Sequence, residues 1–383
     1  MKFTRINDVR QLNRLRILNT IATKGKISRT QIAKELGFNK VSTGEIVESL
    51  LLEGIIEELD PLQKKAGRPS IPLRLKKDRY FVIAIDIGLR NIRLALVNLA
   101  GELLRFERFS TPSNPTVEEI LALIIKTTRS YQKRISEPQE ILGLSVSIGA
   151  EVESSTGTIL SHQSWQWNDI PFAYALEKYS GLPVIVENNV VAMIRGEQWF
   201  SPTVADKRLF YVNWGQHISG AFLAPGRKIF REALFGHIVV CDSHRCRCGG
   251  TGCLETVASG EYLSSFSSQG NSVKKLCEEA QSDKNKRRIL MDSVTYIADA
   301  LISTCAIVRP DTIIIGGGIS LLDDIYFDHL VDTFNGKCPP IVNNNISIER
   351  SLLKDRGGII GTAVAALDEL VFHRSFLQQL NHQ

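Results

Sequence analysis

A chain of 383 residues exceeds what one hydrophobic core usually spans, so two or three domains are expected. With 43% hydrophobic and 23% charged residues, no window near the roughly 18 uninterrupted apolar residues of a membrane span, and no apolar signal stretch in MKFTRINDVRQLNR, the expectation is a globular cytoplasmic protein without a membrane partner. The net charge of +5 is uneven: residues 1–79 hold 17 Lys and Arg against 9 Asp and Glu, which reads as a partner-seeking basic surface or as a merely solvated basic face.

Leu12, Leu15, Leu18 and Ile21 recur every three residues without Gly or Pro, which predicts an amphipathic helix ended by Gly25. Ser28-Arg-Thr-Gln31 has the form of a capping box, and Ile32, Ala33 and Leu36 then mark a short helix stopped by Gly37. Asn39 can cap a third helix whose core side is Ile46, Val47, Leu50 and Leu51 and which ends at Gly54. Two strands, IIEELD and LRLK, follow around a loop with Lys64, Lys65 and Arg68 at its tip. Together these make a winged helix-turn-helix over 1–79. In such a module the third helix enters the major groove, so Asn39, Lys40, Ser42 and Glu45 are the candidates for base edges. Arg29 is assigned to phosphate, and Arg68, within Gly67-Arg-Pro69, to the narrower minor groove. The competing reading is a docking or dimerisation module.

In the body, YFVIAIDIGLRNIRLALVN (80–98) reads as strand, turn and strand, and RLFYVNWGQHISGAFLAPG (208–226) repeats it. ILGLSVSIGA (141–150), LPVIVENN (182–189) and DTIIIGGGIS (311–320) are further buried strands, alternating with helical stretches such as VEEILALIIKTTRSYQ. That alternation predicts an α/β body of two similar lobes, 80–195 and 196–383, with the final helix on the first lobe and a ligand cleft beyond the strand ends.

The segment HRCRCGGTGCLE (244–255) holds three of the seven cysteines. His237, Cys246, Cys248 and Cys253 follow H-x8-C-x-C-x4-C, the donor set of a structural tetrahedral Zn2+. Cys241 or His244 could replace one ligand, and a thiol redox switch is the other reading.

These motifs, taken in order (the winged helix, the Gly-Arg-Pro wing, the Asp86-Ile-Gly88 hairpin, Gly236-His237 leading to Gly252-Cys-Leu-Glu255, and Gly316-Gly-Gly318), resemble the ROK family, named for repressors, open reading frames and kinases. The resemblance implies a two-lobed actin-like ATPase fold, as in sugar kinases, behind a DNA-binding head. It also implies sugar contacts at Asn188, His237 and Glu255, with Asn189 where family kinases carry the aspartate that takes the proton from the sugar hydroxyl. Gly215-Gln-His217 stands for the family's Gly-Thr-Gly, and Asp86-Ile-Gly-Leu-Arg-Asn91 for its Asp-x-Gly-Gly-Thr-Lys, so the phosphoryl-transfer machinery is degraded. Leu234 replaces a sugar-binding glutamate, which implies a deoxy, substituted or larger effector, on which Trp165 and Trp167 could stack. The expected protein is a non-catalytic, sugar-responsive repressor of carbohydrate-use genes. It would act as a dimer or tetramer on a double-stranded DNA operator, with lobe closure on the ligand changing the spacing of the heads. An active kinase with a DNA-binding head and a zinc or redox sensor are the alternatives.

Overall fold

The computed structural model describes residues 6–61, 70–200, 207–224, 228–268, 272–321, 323–343 and 345–372. Contacts divide the chain into two units, Met1–Glu187 with Ala363–Gln383, and Asn188–Thr362. The lobe boundary expected at 195/196 therefore falls earlier, between Glu187 and Asn188, one residue before a strand gives way to a helix.

The first unit begins with α1 (Ile6–Lys24), β1 (Ile27–Ser28), α2 (Arg29–Leu36), α3 (Lys40–Leu52), β2 (Ile56–Glu58) and β3 (Pro72–Leu75). The Ser28 side chain accepts from the Gln31 backbone N–H while Gln31 accepts from that of Ser28, so α2 starts on a complete capping box. Gly37 ends it at φ 65°, a conformation that favours glycine. Ile17, Leu18, Ile21, Ile32, Ile46, Val47 and Leu50 form the buried seam of the three helices. The buried Arg14 guanidinium joins α1 to the end of α3 through a two-pronged pair with Glu53, 2.9 Å on one arm. The wing sheet runs β1-β3-β2. Its two-residue strand β1 is too short to leave a periodic signal.

The same unit continues with β4 (Tyr80–Ile87), β5 (Asn91–Asn98), β6 (Leu103–Ser110), α4 (Val117–Gln132) and β7 (Glu140–Ile148). After these come β8 (Glu151–Glu153), β9 (Thr158–His162), β10 (Trp167–Ile170), α5 (Phe172–Ser180) and β11 (Val184–Asn188). The main sheet is ordered β11-β7-β4-β5-β6, antiparallel from β4 through β6 and parallel between β4 and β7. Ile83, Ile85, Leu94, Leu144 and Val146 face α4 and α5 in one core. Trp165 and Trp167 belong to that core. Trp165 stacks on His162 with ring centroids 4.1 Å apart, and the Trp167 indole donates to the Pro115 carbonyl. Both side chains are more than nine-tenths buried, which corrects the expectation that the pair could stack on a ligand.

The second unit holds α6 (Asn189–Phe200), β12 (Leu209–Trp214), β13 (Ile218–Ala224), β14 (Lys228–Ala233), α7 (Glu255–Ala258), α8 (Gly260–Ser264) and α9 (Val273–Ala280). It is completed by α10 (Lys284–Val308), β15 (Thr312–Gly316), α11 (Asp324–Lys337), β16 (Ser347–Arg350) and the start of α12 (Gly357–Ala366). Its sheet runs β14-β13-β12-β15-β16. Read from the meander inward, this is the strand order of the first sheet, so the repeated hairpin seen in the sequence reflects a repeated lobe. Among the described residues α10 alone is long and apolar enough to cross a membrane. Its Leu290, Val294, Ile297, Leu301 and Cys305, one helical face, are buried in the core of this unit.

Glycines explain two close approaches. A Cβ at Gly316 would lie 1.8 Å from the Tyr211 hydroxyl, and one at Gly317 would lie 2.4 Å from the Trp214 carbonyl oxygen, so the first two glycines of the triplet let β15 and its turn press against β12. At Gly361 a Cβ would lie 2.1 Å from the Ala192 carbonyl oxygen, where α12 crosses α6. Gly361→Ala is expected to lower stability by about 1–3 kcal/mol through overpacking, read as a lower urea midpoint. An unchanged midpoint would mean that the helices separate at no cost.

Candidate metal centre, ligand pocket and DNA-facing helix

The metal loop leaves β14 through a short turn at Phe235–His237 and returns at α7. It is closed by backbone bonds from Val240 N to Gly252 O, Cys246 N to Gly250 O, and Leu254 N to Ile238 O. Gly252, at φ 77°, has the Cys241 carbonyl oxygen 1.8 Å from where a Cβ would stand, so only glycine lets the two limbs meet.

This closure gathers His237, Cys246, Cys248 and Cys253 so that their ligand atoms all lie within 4.8 Å of one another. Cys246 Sγ is 3.7 Å from His237 Nδ1, and Cys248 Sγ is 3.6 Å from Cys253 Sγ. Metal–sulfur bonds of about 2.3 Å in a tetrahedron give sulfur–sulfur edges of roughly 3.8 Å, whereas a disulfide needs about 2.05 Å. The four residues can therefore hold a metal ion. Cys241 is turned away onto the Ser243 carbonyl, and the His244 ring lies edge-on to Tyr262.

Beside His237, Gly236 packs against Glu255: a Cβ there would lie 2.3 Å from the Ile218 carbonyl oxygen and 2.9 Å from Glu255 Cγ. Glu255 Oε1 accepts the Ile218 N–H at 2.6 Å. Its other oxygen, Oε2, is buried without a hydrogen-bond partner, on a side chain 8% exposed. An orphaned buried carboxylate oxygen is costly, and a ligand hydroxyl or N–H is the group that would satisfy it.

His217 Nδ1 lies 3.7 Å from that oxygen but only 2.6 Å from Arg247 Nη2. Arginine can only donate, so the imidazole accepts in this contact. Arg247 also donates to Glu261 at 2.7 Å. The sequence reading missed Arg247 because a residue between two cysteines takes its direction from the loop, not from any periodicity. The hairpin turn itself is fixed by Gly260 N to Gly215 O and Glu261 N to Gln216 O, at the start of α8.

Asn188 and Asn189 stand at the start of α6, where the Asn188 side chain accepts the Val190 N–H at 2.9 Å and so caps the helix. The structure thus brings His237 and Glu255 together and gives Asn188 a capping role. In the first hairpin, Asp86 accepts from Arg93 at 2.8 Å and from Ser147 at 3.2 Å. Burial pushes the Asp86 carboxyl above the usual carboxylate range, and the Arg93 guanidinium opposes this.

In the head, Asn39, Lys40, Ser42 and Glu45 are all exposed at the start of α3. Asn39 also caps α3, its Oδ1 accepting the Val41 N–H at 2.7 Å, which leaves the amide donor side for a base. Arg29 is held by Glu58 at 2.8 Å and Glu48 at 3.3 Å, so a phosphate would have to compete with two carboxylates for it. Arg68, Lys64 and Lys65 lie outside the described residues. The sequence reading also passed over Val41, which is 70% exposed on the same helix.

Fold and site together define a class: a winged-helix head followed by a duplicated actin-like α/β body carrying a three-cysteine, one-histidine loop. Residues 82–369 match the ROK family, and the chain belongs to it. It is 26% identical over 394 residues to the xylose repressor of Caldicellulosiruptor bescii, covering 95% of this chain and 97% of that one. It is 25% identical to the DNA-binding transcriptional dual regulator NagC of Escherichia coli K12, covering 97% and 96%. The crystal structure of a ROK family transcriptional regulator, a homologue of the E. coli MLC protein, superposes with a TM-score of 0.80 at 20% identity over 97% of this chain and 99% of that one. A ROK glucokinase from Streptomyces griseus, in complex with glucose and AMPPNP, gives 0.65 at 24% identity over 74% of this chain and 98% of its own, which places the body in the actin-like kinase fold.

Cys248→Ser, at the exposed ligand, is expected to bring the metal content well below the one ion per chain expected of the parent, measured by atomic emission. Equal metal content in the two proteins would remove Cys248 from the ligand set.

Proposed function

We propose that this protein is a DNA-binding transcriptional regulator, a sugar-responsive repressor of carbohydrate-use genes. The observation that carries this reading is one of coverage. The xylose repressor and NagC align with 95% and 97% of this chain, whereas the glucokinase structure spans 74% of it while using 98% of its own length. The part of this chain that the kinase does not cover is large enough to include the winged helix, and residues 1–79 are the DNA-binding domain in this reading, followed by two lobes that divide at Glu187 and Asn188. Asn39, Lys40, Ser42 and Glu45 face base edges, and Arg29 and Arg68 the backbone and minor groove.

The body binds its effector without phosphorylating it. Asn189 has no basicity to take a hydroxyl proton, His217 fills the turn where the family keeps glycine, and Asp86 is neutralised by Arg93. Glu255 offers its free oxygen to a sugar hydroxyl, with His237, Asn188 and Asn189 as the other polar contacts. Leu234, 72% exposed, offers no polar group where the family has a glutamate, which favours a deoxy, substituted or larger sugar.

The resident metal in this reading is Zn2+, for which three thiolates and an imidazole are the matching donors. When bound it supplies structure, fixing His237 and the start of α7 so that Glu255 stays in register. The repressor works as a homodimer or tetramer in the cytoplasm, and the effector shifts the population toward a head spacing that no longer matches the operator.

Operator affinity, followed by fluorescence anisotropy at fixed salt with xylose, glucose and N-acetylglucosamine, is expected to fall with one of these sugars or with a deoxy or oligomeric relative. Glu255→Ala should leave DNA binding intact and weaken the sugar response by about 1–3 kcal/mol. Sugar-dependent ADP release would instead identify a kinase, and an operator affinity that no sugar moves would refute the effector assignment.

A further inference from the structure

Helix α3 breaks two local rules on one face. Val41 is a β-branched apolar residue left 70% exposed in the first turn. Three positions on, Gly44 lies within the helix, and a Cβ placed there would meet nothing within 4 Å. Glycine inside a helix is less favourable than alanine, and an exposed valine gains nothing from packing, so neither choice serves the isolated head. Residues three apart share a helix face, and that face is continued by the exposed Glu45 and Glu48. The buried residues Thr43, Ile46, Val47 and Leu50 occupy the other side.

A face with carboxylates, a lone methyl-bearing side chain and a missing Cβ is ill suited to grip phosphates. It suits base edges, because the major groove presents the thymine methyl for apolar contact and the cytosine amino group to a carboxylate. We infer that Val41 reads a thymine 5-methyl group in the major groove and that Gly44 is the point where the helix backbone comes closest to the duplex. The inference rests on the reading of the head as DNA-binding and adds two specificity positions to it.

The probe is a duplex selected by the full-length protein from a randomised pool, followed by copies in which each thymine in turn is replaced by deoxyuridine, which removes only the methyl. One replacement is expected to weaken the parent protein about fourfold, the worth of one buried methyl group. Val41→Ala should bind the parent duplex less tightly and show no sensitivity at that position. Gly44→Ala should melt at a higher temperature yet bind the same duplex more weakly, a pair of opposite changes that a purely structural role would not produce. If both variants keep the parent's affinity and methyl sensitivity, this face serves a protein contact and the inference is wrong. If no duplex is enriched at all, the DNA-binding reading itself falls and takes the inference with it.

Discussion

The contact on which the functional part of the second lobe depends is the one between Gly236 and Glu255. With no side chain at 236, the Glu255 carboxylate reaches the Ile218 N–H and leaves its second oxygen buried and unanswered. That arrangement is unfavourable on its own, and the segment that imposes it has little core to offset it. From Asp242 to Thr251 only Cys246 is buried. Ordering each such residue costs about 1–2 kcal/mol of backbone entropy, which exposed side chains do not repay. A metal ion bound by four side chains contributes folding energy directly. Two of those side chains, His237 and Cys253, are respectively next to Gly236 and two residues before Glu255. A metal ion held there would thus act beside the Gly236–Glu255 contact, tying the four-residue donor loop to the buried Glu255 carboxylate.

The two lobes share a strand order, yet their hairpins have been filled differently. In the first, Asp86 and Arg93 stand opposite each other across β4 and β5 and answer each other's charge. In the second, His217 occupies the turn and is held by Arg247, which the metal loop delivers. Both fillings use side chains of this protein where a nucleotide-binding lobe would keep open backbone or an available carboxylate. The fold is retained because strand order and the packing glycines are set by close internal contacts, Gly316 against the Tyr211 ring and Gly317 and Gly361 against backbone, and those are indifferent to whether a phosphate is ever bound.

Much of this was legible in the residues. Capping at Ser28 and Asn39, the helix stops at Gly25, Gly37 and Gly54, and the repeated hairpins are local signals, and local chemistry decides them. The spacing of His237 and the three cysteines was legible because metal ligation demands a donor set that few other arrangements need. What escaped was set by tertiary placement. Trp165 and Trp167 looked available until His162, a residue with no pattern around it, proved to be the stacking partner of Trp165, and Phe172 that of Trp167. Arg247 and the orphaned oxygen of Glu255 depend on how a loop folds back on a hairpin more than 25 residues away, a distance over which sequence periodicity carries nothing.

The basic surplus of the head also reads differently once its pairs are known. Arg14 is buried against Glu53, Arg29 sits between Glu48 and Glu58, Lys24 meets Glu35, and Arg74 meets Glu57. Glu35, Glu48, Glu53, Glu57 and Glu58 are thereby paired, and among the described residues Arg10, Arg16, Lys26, Lys34 and Lys76 are exposed cations that make no ion pair. Charge that meets phosphate comes from such unpaired cations, because an arginine already held by carboxylates must be desolvated and released before it displaces a counterion. The salt sensitivity of DNA binding should therefore follow these unpaired cations and the wing, while sequence preference follows the exposed residues at the start of α3. Separating grip from reading in this way is what lets a head with acidic residues on its recognition helix still bind a polyanion.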